Sequence, residues 1–391
     1  MDPRVGHRGL PTSGASLRAR ESERGGWIPR AVGRGREREH AAGSSDEEIA
    51  MTKLLEDILR QPDELLGSLA YATGDGSSAL REAARVVDES DHVFVTGIGS
   101  SWHAGMAVRA RFDAAGKPCR LVDASELVHY APFPPNTALI ALSRSGRSIE
   151  IVESLPKARA AGTRVIAVTN TPDSPLADQA DVTLRLEAAF DHQVSVTMYS
   201  ALTLVGGLVA GCDAALADGL RTGLEASRDA APEWRQRIDD SHWFDTSAPT
   251  YFLARGGSRA SCYETRLMWE EAAKAPATAL GTGSFRHGPQ EVVTDSLRVG
   301  IWLDPATLHD EDLELVRDLR SLGTKVMLIG ADVSDEAADL VMPVPHMPDG
   351  WQFLVDIMPA QLAAEHLSRL RGVDCDAFLY CPYIIESEGG L

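Results

Sequence analysis

The chain has 391 residues, 44% hydrophobic and 24% charged, with a formal net charge of −19. That length suits two domains, each able to bury its own core, and the negative balance excludes nucleic acid and anionic membrane as principal partners, because both require a positive face. No apolar run reaches the roughly 18 residues of a membrane span, no signal-peptide pattern opens the chain, and the five cysteines show no paired spacing; a disulfide framework and a zinc site are both disfavoured and a reducing cytoplasm is expected.

Residues 1–50 are rich in Arg, Gly, Ser and Glu, with few large apolar side chains to offset the entropy of ordering, and are expected to be a disordered tail. Met51 is a candidate for the true start. Leu54 to Leu69 has helical spacing interrupted at Gln61-Pro62, which predicts two short helices, the second opened by Pro62. A helix over Ser78–Glu89 follows, then a short β-rich run, His92–Thr96, a loop Gly97-Ile98-Gly99-Ser100-Ser101 and a helix from Trp102 to Ala115. Trp102 stands where a dinucleotide fingerprint needs its third glycine, so that reading is set aside.

Strands are next expected at 119–123 and 138–142, a helix at 149–161, strands at 164–168 and 182–186, and a long helix at 197–217. The stretch Thr137 to Ser148, TALIALSRSGRS, is strand, small-residue loop, then helix. There the hydroxyls of Ser143, Ser145 and Ser148 can converge with backbone N–H groups at the positive end of the helix, while Gly146 lets the backbone approach an anion. Phosphate is the natural ligand, although serine-rich strand-to-helix loops also occur as plain N-caps. Arg144 and Arg147 could add charge-assisted contacts or be solvated loop cations.

The second half echoes the first. FLARGGS (252–258) matches FVTGIGS (94–100) at an offset of 158, RDLRSLGTKVMLIG (317–330) matches PKARAAGTRVIAVT (156–169) at 161, and Asp339-Leu340 matches Asp181-Val182 at 158. Three matches in one order predict a duplicated α/β domain. Position 143 maps to Asp304, which would repel a phosphate, so the anion site is expected in the first copy alone. In the second copy Glu270, Glu271, Lys274, Arg286 and His287 cluster around a loop, Gly281–Pro289, whose three glycines and proline fix an unusual backbone. A carboxylate and a histidine suit the two tasks of sugar isomerisation, moving a proton between adjacent carbons and opening the ring. A helix, Gln352–Arg371, and a tail ending in Pro382 and Glu386 close the chain.

GSSWHAG (99–105), ASE (124–126), SRSGRS (143–148), EEAAKAPA (270–277) and FRHGP (285–289), in this order, resemble the sugar isomerase (SIS) fold in tandem. The similarity is to the isomerase half of glutamine-dependent glucosamine-6-phosphate synthase, and to amino-sugar-phosphate deaminases/isomerases and fructosamine-phosphate deglycases. The resemblance implies two SIS domains, each a flavodoxin-like, Rossmann-like three-layer αβα sandwich: helices at 51–88, SIS domain 1 at 89–219, a helical linker at 220–246 and SIS domain 2 with its tail at 247–391. It implies that Ser100, Ser101, Ser143, Ser145, Gly146 and Ser148 hold a sugar phosphate, with Arg144 in place of a glutamine and Val194 offering a backbone contact. Glu271 becomes the proton-transferring base and His287 the ring opener, reaching the site of a neighbouring subunit, so a homodimer with a shared active site is implied. No cofactor or metal is called for.

Two departures shape the expected activity. A glutaminase domain with a cysteine nucleophile is not expected, which removes amide transfer. Residues 374–386, DCDAFLYCPYIIE, contain no lysine where the synthase forms a Schiff base. Expected instead is aldose–ketose isomerisation, or release of nitrogen already carried by an amino-sugar or fructosamine phosphate; the alternative is a non-catalytic sugar-phosphate sensor.

Overall fold

The structure, a computed structural model, describes residues 51–385 and 387. The tail expected at 1–50 lies outside the described residues. In chain order the elements are α1 Lys53–Thr73, α2 Ser77–Asp88, β1 His92–Gly97, α3 Ser100–Ala114, β2 Arg120–Asp123, α4 Ala124–His129, β3 Thr137–Leu142, α5 Ile149–Ala160, β4 Arg164–Thr169, α6 Pro175–Gln179, β5 Val182–Arg185, α7 Thr197–Leu208 and α8 Ala214–Asp239. The second series is β6 Thr250–Ala254, α9 Arg259–Glu271, β7 Ala277–Gly281, α10 Thr282–Phe285, β8 Arg298–Trp302, α11 His309–Ser321, β9 Lys325–Gly330, β10 Leu340–Pro343 and α12 Met358–Arg371.

The strands form two five-stranded parallel sheets, ordered β2-β1-β3-β4-β5 and β10-β9-β8-β6-β7. Read from the other edge the second is β7-β6-β8-β9-β10, the same sequential order. Alternation along the central strands explains the layers. In β3, Ile140 and Leu142 pack under α3 and α7 with Val95 and Leu202, whereas Leu139 and Ala141 pack under α5 with Phe94 and Leu155. The second sheet divides likewise, Phe252 and Met327 to one side, Leu253 and Leu328 to the other. One hydrogen-bond device recurs: Asp181 Oδ2 accepts from Val165 N at 2.7 Å, and Asp339 Oδ2 accepts from Val326 N at 3.0 Å. Both sheets lie within one unit, Ala50–Leu391.

Three expectations are corrected. The break at Gln61-Pro62 does not occur; Pro62 lies inside a continuous α1. A helix-interior proline costs about 3 kcal/mol, here offset by burial of Ile58, Leu65 and Leu69 and by Gln61, whose side chain donates to Gln361 Oε1 at 2.8 Å and accepts from Ser200 Oγ at 2.7 Å. The helix expected at 197–217 is cut at Gly211, with φ 142°, and restarts where Asp213 caps α8 by accepting from Leu216 N at 2.8 Å. The helical linker expected at 220–246 falls mostly on α8, whose Leu220, Leu224, Trp234 and Ile238 are buried. The last helix starts at Met358, preceded by a separate 3-10 turn, Gln352–Leu354.

Candidate active site

In the first sheet the chain leaves β1 toward β2 on one side and leaves β3 toward β4 on the other. The two loops at the carboxyl ends of β1 and β3 consequently diverge and leave a crevice, the usual place for a ligand in an open parallel sheet. Each loop runs into a helix, α3 or α5, and neither N-terminus carries a side-chain cap bond among the described residues. The positive ends of both helix dipoles therefore face the crevice. Here lies a cavity of about 210 Å³, lined by Ser100 and Ser101 from one loop and by Ser143, Arg144, Ser145 and Ser148 from the other.

The serine loop is rigid. Ser143 and Ser145 are buried, Ser143 Oγ accepting from Gly146 N at 3.1 Å and Ser145 Oγ from Arg147 N at 3.2 Å. Each hydroxyl keeps its proton to donate, which suits a phosphate oxygen. Gly146 adopts φ +61° with Ser174 pressed against it. The two arginines do different things. Arg147 turns aside, Nη2 donating to Asp173 O at 3.0 Å. Arg144 borders the cavity but its guanidinium donates to Tyr383 O at 2.8 Å and stacks 3.9 Å from the centre of the Tyr383 ring.

Tyr383 belongs to a strap that the sequence reading took only as a closing tail without the family's lysine. Phe378 and residues 381–385 form one wall of the cavity, anchored by Ile149 N donating to Ile385 O at 3.1 Å and by Tyr383 Oη donating to Asp191 O at 3.2 Å. Asp191 is buried and its carboxylate accepts from the N–H groups of Val196, Thr197 and Met198 at 2.9–3.0 Å, fixing the 191–196 loop that begins α7. From that loop Gln193 and Ser195 face the cavity, whereas the Val194 side chain turns into the core of the second sheet.

Glu271, the last residue of α9, completes the lining. Burial, and next the Glu264 carboxylate, push its pKa up to about 8, with Arg144 and Lys274 pulling the other way. Its neighbour Glu270 is directed elsewhere, paired with Arg266 at 2.6 Å. Lys274, with φ +52°, donates to the carbonyls of Glu271 and Ala377, tying the end of α9 to the strap. His287 is not brought here. It is exposed in the turn after α10, beside edge strand β7, as is Arg286.

In the second sheet the loop after β8, the counterpart of the serine loop, is tied up by its own side chains. Arg255 Nε meets the buried Asp312 at 2.8 Å, Asp312 also accepts from Asp304 N at 3.2 Å, and Asp304 accepts from the N–H groups of Ala306 and Leu308 at 3.2 and 3.1 Å. Two carboxylates occupy the place where the first sheet presents serines.

Residues 87–209, which hold β1 to α7, match the SIS domain family, and the family resemblance read from the motifs is borne out there. The chain is 24% identical over 347 residues to the glutamine–fructose-6-phosphate aminotransferase (isomerizing) of Gloeobacter violaceus and 26% identical over 354 residues to that of Mycobacterium bovis, each alignment covering 83% of this chain and 56% of the relative. The chain thus spans about half the length of the curated relatives it matches. Among solved structures it is similar to the C-terminal domain of glucosamine-fructose-6-phosphate aminotransferase from Francisella tularensis, with a TM-score of 0.74, 21% identity and coverage of 85% of this chain and 99% of that one. It is also similar to tagatose-6-phosphate ketose/aldose isomerase from Escherichia coli, with a TM-score of 0.73, 22% identity and coverage of 85% and 96%. These likenesses show the fold, two parallel sheets flanked by helices. No helix among the described residues is long and apolar enough to cross a membrane.

Proposed function

We propose that the chain is a phosphosugar-binding enzyme of two tandem SIS domains, an aldose–ketose isomerase or a deaminase or deglycase of an amino-sugar or fructosamine phosphate. The observation that carries this reading is the position of Glu271 on the same cavity as the serine loop and two helix N-termini. A phosphate seated by Ser101, Ser143, Ser145 and Ser148 leaves the carbon end of a short chain toward Glu271. In the open-chain sugar the carboxylate removes the proton beside the carbonyl, giving an enediolate, and returns it to the adjacent carbon. A base with a pKa near the working pH is well matched to both halves of that transfer. Where the substrate carries nitrogen at that carbon, the same proton transfer gives an imine that water hydrolyses with loss of the amine. Lys274 takes no part, its ammonium being held by two carbonyls.

Ring opening needs a second acid/base group, and we assign it to His287 of a second copy, because within one chain His287 stands away from the cavity. A homodimer with a shared site follows from that assignment. The test is a panel of hexose, hexosamine and fructosamine phosphates, following aldose/ketose ratio and amine release, with Glu271→Gln alongside the parent. Turnover of the reactive compound is expected to fall by about 10²–10⁴ with little change in binding. Wild-type turnover by Glu271→Gln refutes the mechanism, and binding of several compounds without any turnover replaces it with a sugar-phosphate sensor.

A further inference from the structure

A second cavity, of about 560 Å³, lies between α3 and the loop that opens α9. The internal offset of 158 residues explains its position. It carries His92, the start of β1, onto Thr250, the start of β6, and Ala124, the start of α4, onto Thr282, the start of α10. It carries Ile98, Gly99 and Ser101, which line the first cavity, onto Gly256, Gly257 and Arg259, which line the second, and it carries Asp113 in the second cavity onto Glu271 in the first. The helices α3 and α9 pack on one another, joined at their centre by His103 Nδ1 and Glu264 Oε2 at 2.7 Å. Each half therefore presents its first loop to the carboxylate at the far end of the other half's helix, and the two cavities are related by an approximate two-fold axis between α3 and α9.

The chemistry of the second cavity differs from that of the first in a defined way. Arg259 replaces Ser101, and Arg109 adds a second guanidinium, 3.4 Å from Asp113 one helical turn away. The N-terminus of α9 has no side-chain cap bond among the described residues, and its Ser258 hydroxyl donates to Asp356 at 2.6 Å instead. Gly257 leaves no room for a Cβ, which would meet Phe353 at 2.8 Å, so the backbone itself forms the floor. Trp102, Met106 and Leu121 supply an apolar wall. Two guanidiniums and the positive end of α9 suit a phosphate dianion, a carboxylate accepts sugar hydroxyls, and an indole covers the apolar face of a sugar ring.

We propose that this cavity is a second binding site, specific for a phosphorylated sugar. The assignment does not depend on the catalytic reading of the first cavity.

Calorimetric titration of the full chain with fructose 6-phosphate tests it. The parent is expected to take up two equivalents per chain, Ser143→Ala/Ser145→Ala one, and that variant with Arg259→Glu added none, while Arg259→Lys keeps the second equivalent at about tenfold weaker affinity, as for a point charge replacing a fork. Quenching of indole fluorescence that persists in the serine variant and vanishes with Trp102→Phe places the ligand. Arg109→Ala checks the assignment independently of any effect at Arg259 and is expected to weaken the second equivalent at least tenfold. A single equivalent in the parent, or an isotherm of the serine variant unaltered by Arg259→Glu, overturns the proposal, as does inorganic phosphate binding as tightly as the sugar phosphate. Two equivalents remaining in the serine variant overturns the first site and leaves the second standing.

Discussion

Replacing Gly146 by alanine tests whether the serine loop must be packed as closely as it is. At φ +61° any side chain meets the left-handed penalty, about 1–2 kcal/mol. A Cβ there also lies 2.2 Å from Ser174 Oγ and 2.7 Å from Ser174 Cβ. Ser174 cannot yield freely, because it is buried and caps α6, its hydroxyl accepting from Ala177 N at 3.4 Å; losing a cap of this type costs about 1 kcal/mol. The expected total is about 2–3 kcal/mol. Gly162, at φ +70° with nothing within 4 Å of a built Cβ, isolates the conformational part. Urea denaturation of Gly146→Ala and Gly162→Ala should give losses that differ by about 1 kcal/mol, and only the former should weaken sugar-phosphate binding, because its shift breaks the Gly146 N–Ser143 Oγ bond. Equal losses with unaltered affinity would refute the reasoning.

Ser143→Ala with Ser145→Ala removes two donors to a charged ligand, each worth about 1.5–3 kcal/mol, and calorimetry should show a loss of at least a hundredfold in affinity at the first site, with the fold retained and a modest fall in melting temperature because each hydroxyl also accepts a loop N–H. Because burial and Glu264 favour the neutral form of Glu271 and the base must be ionised, kcat/KM should rise with pH through a limb near 8; Glu264→Gln removes the like charge and should move that limb to lower pH. The same raised value means that the fold favours protonated Glu271, so its contribution to stability is lost as pH climbs from the ordinary 4.5 toward about 8, and denaturation of Glu271→Gln should show a flatter pH dependence over that window. Mixing His287→Ala with Glu271→Gln should restore about a quarter of parental activity through hybrid dimers carrying one intact site, and no recovery after verified subunit exchange would remove the shared site.

Much of this was legible from local chemistry. The apolar run 138–142 in β3, followed by serines and a glycine, specified both a buried central strand and the loop beyond it, and the strand–helix alternation specified parallel sheets. Contacts set by tertiary packing were not. The sequence leaves Arg144 open between a phosphate contact and a solvated loop cation; it serves the strap instead, because nothing in SRSGRS records a tyrosine 239 residues away. The strap itself has no periodicity, and its partners lie on the serine loop, α5 and the 191–196 loop. Proline at 62 was read as a boundary by a rule that holds for solvated helices and yields where three leucine-type side chains are buried around it. The choice between Glu270 and Glu271 had a sequence signal that went unused: Arg266 stands four residues before Glu270 and claims it.

The strap also bears on how the protein comes into being. Arg144 and Tyr383 meet across 239 residues, so the cavity wall is synthesised well after its floor. A nascent chain can complete β1 to β5 and bury that core with the mouth of the crevice still open to water. Binding competence therefore reports arrival of residues 378–385 rather than folding of the sheet beneath them. A nick between α12 and the strap should leave a protein that melts almost as the parent does and yet has lost one side of its pocket.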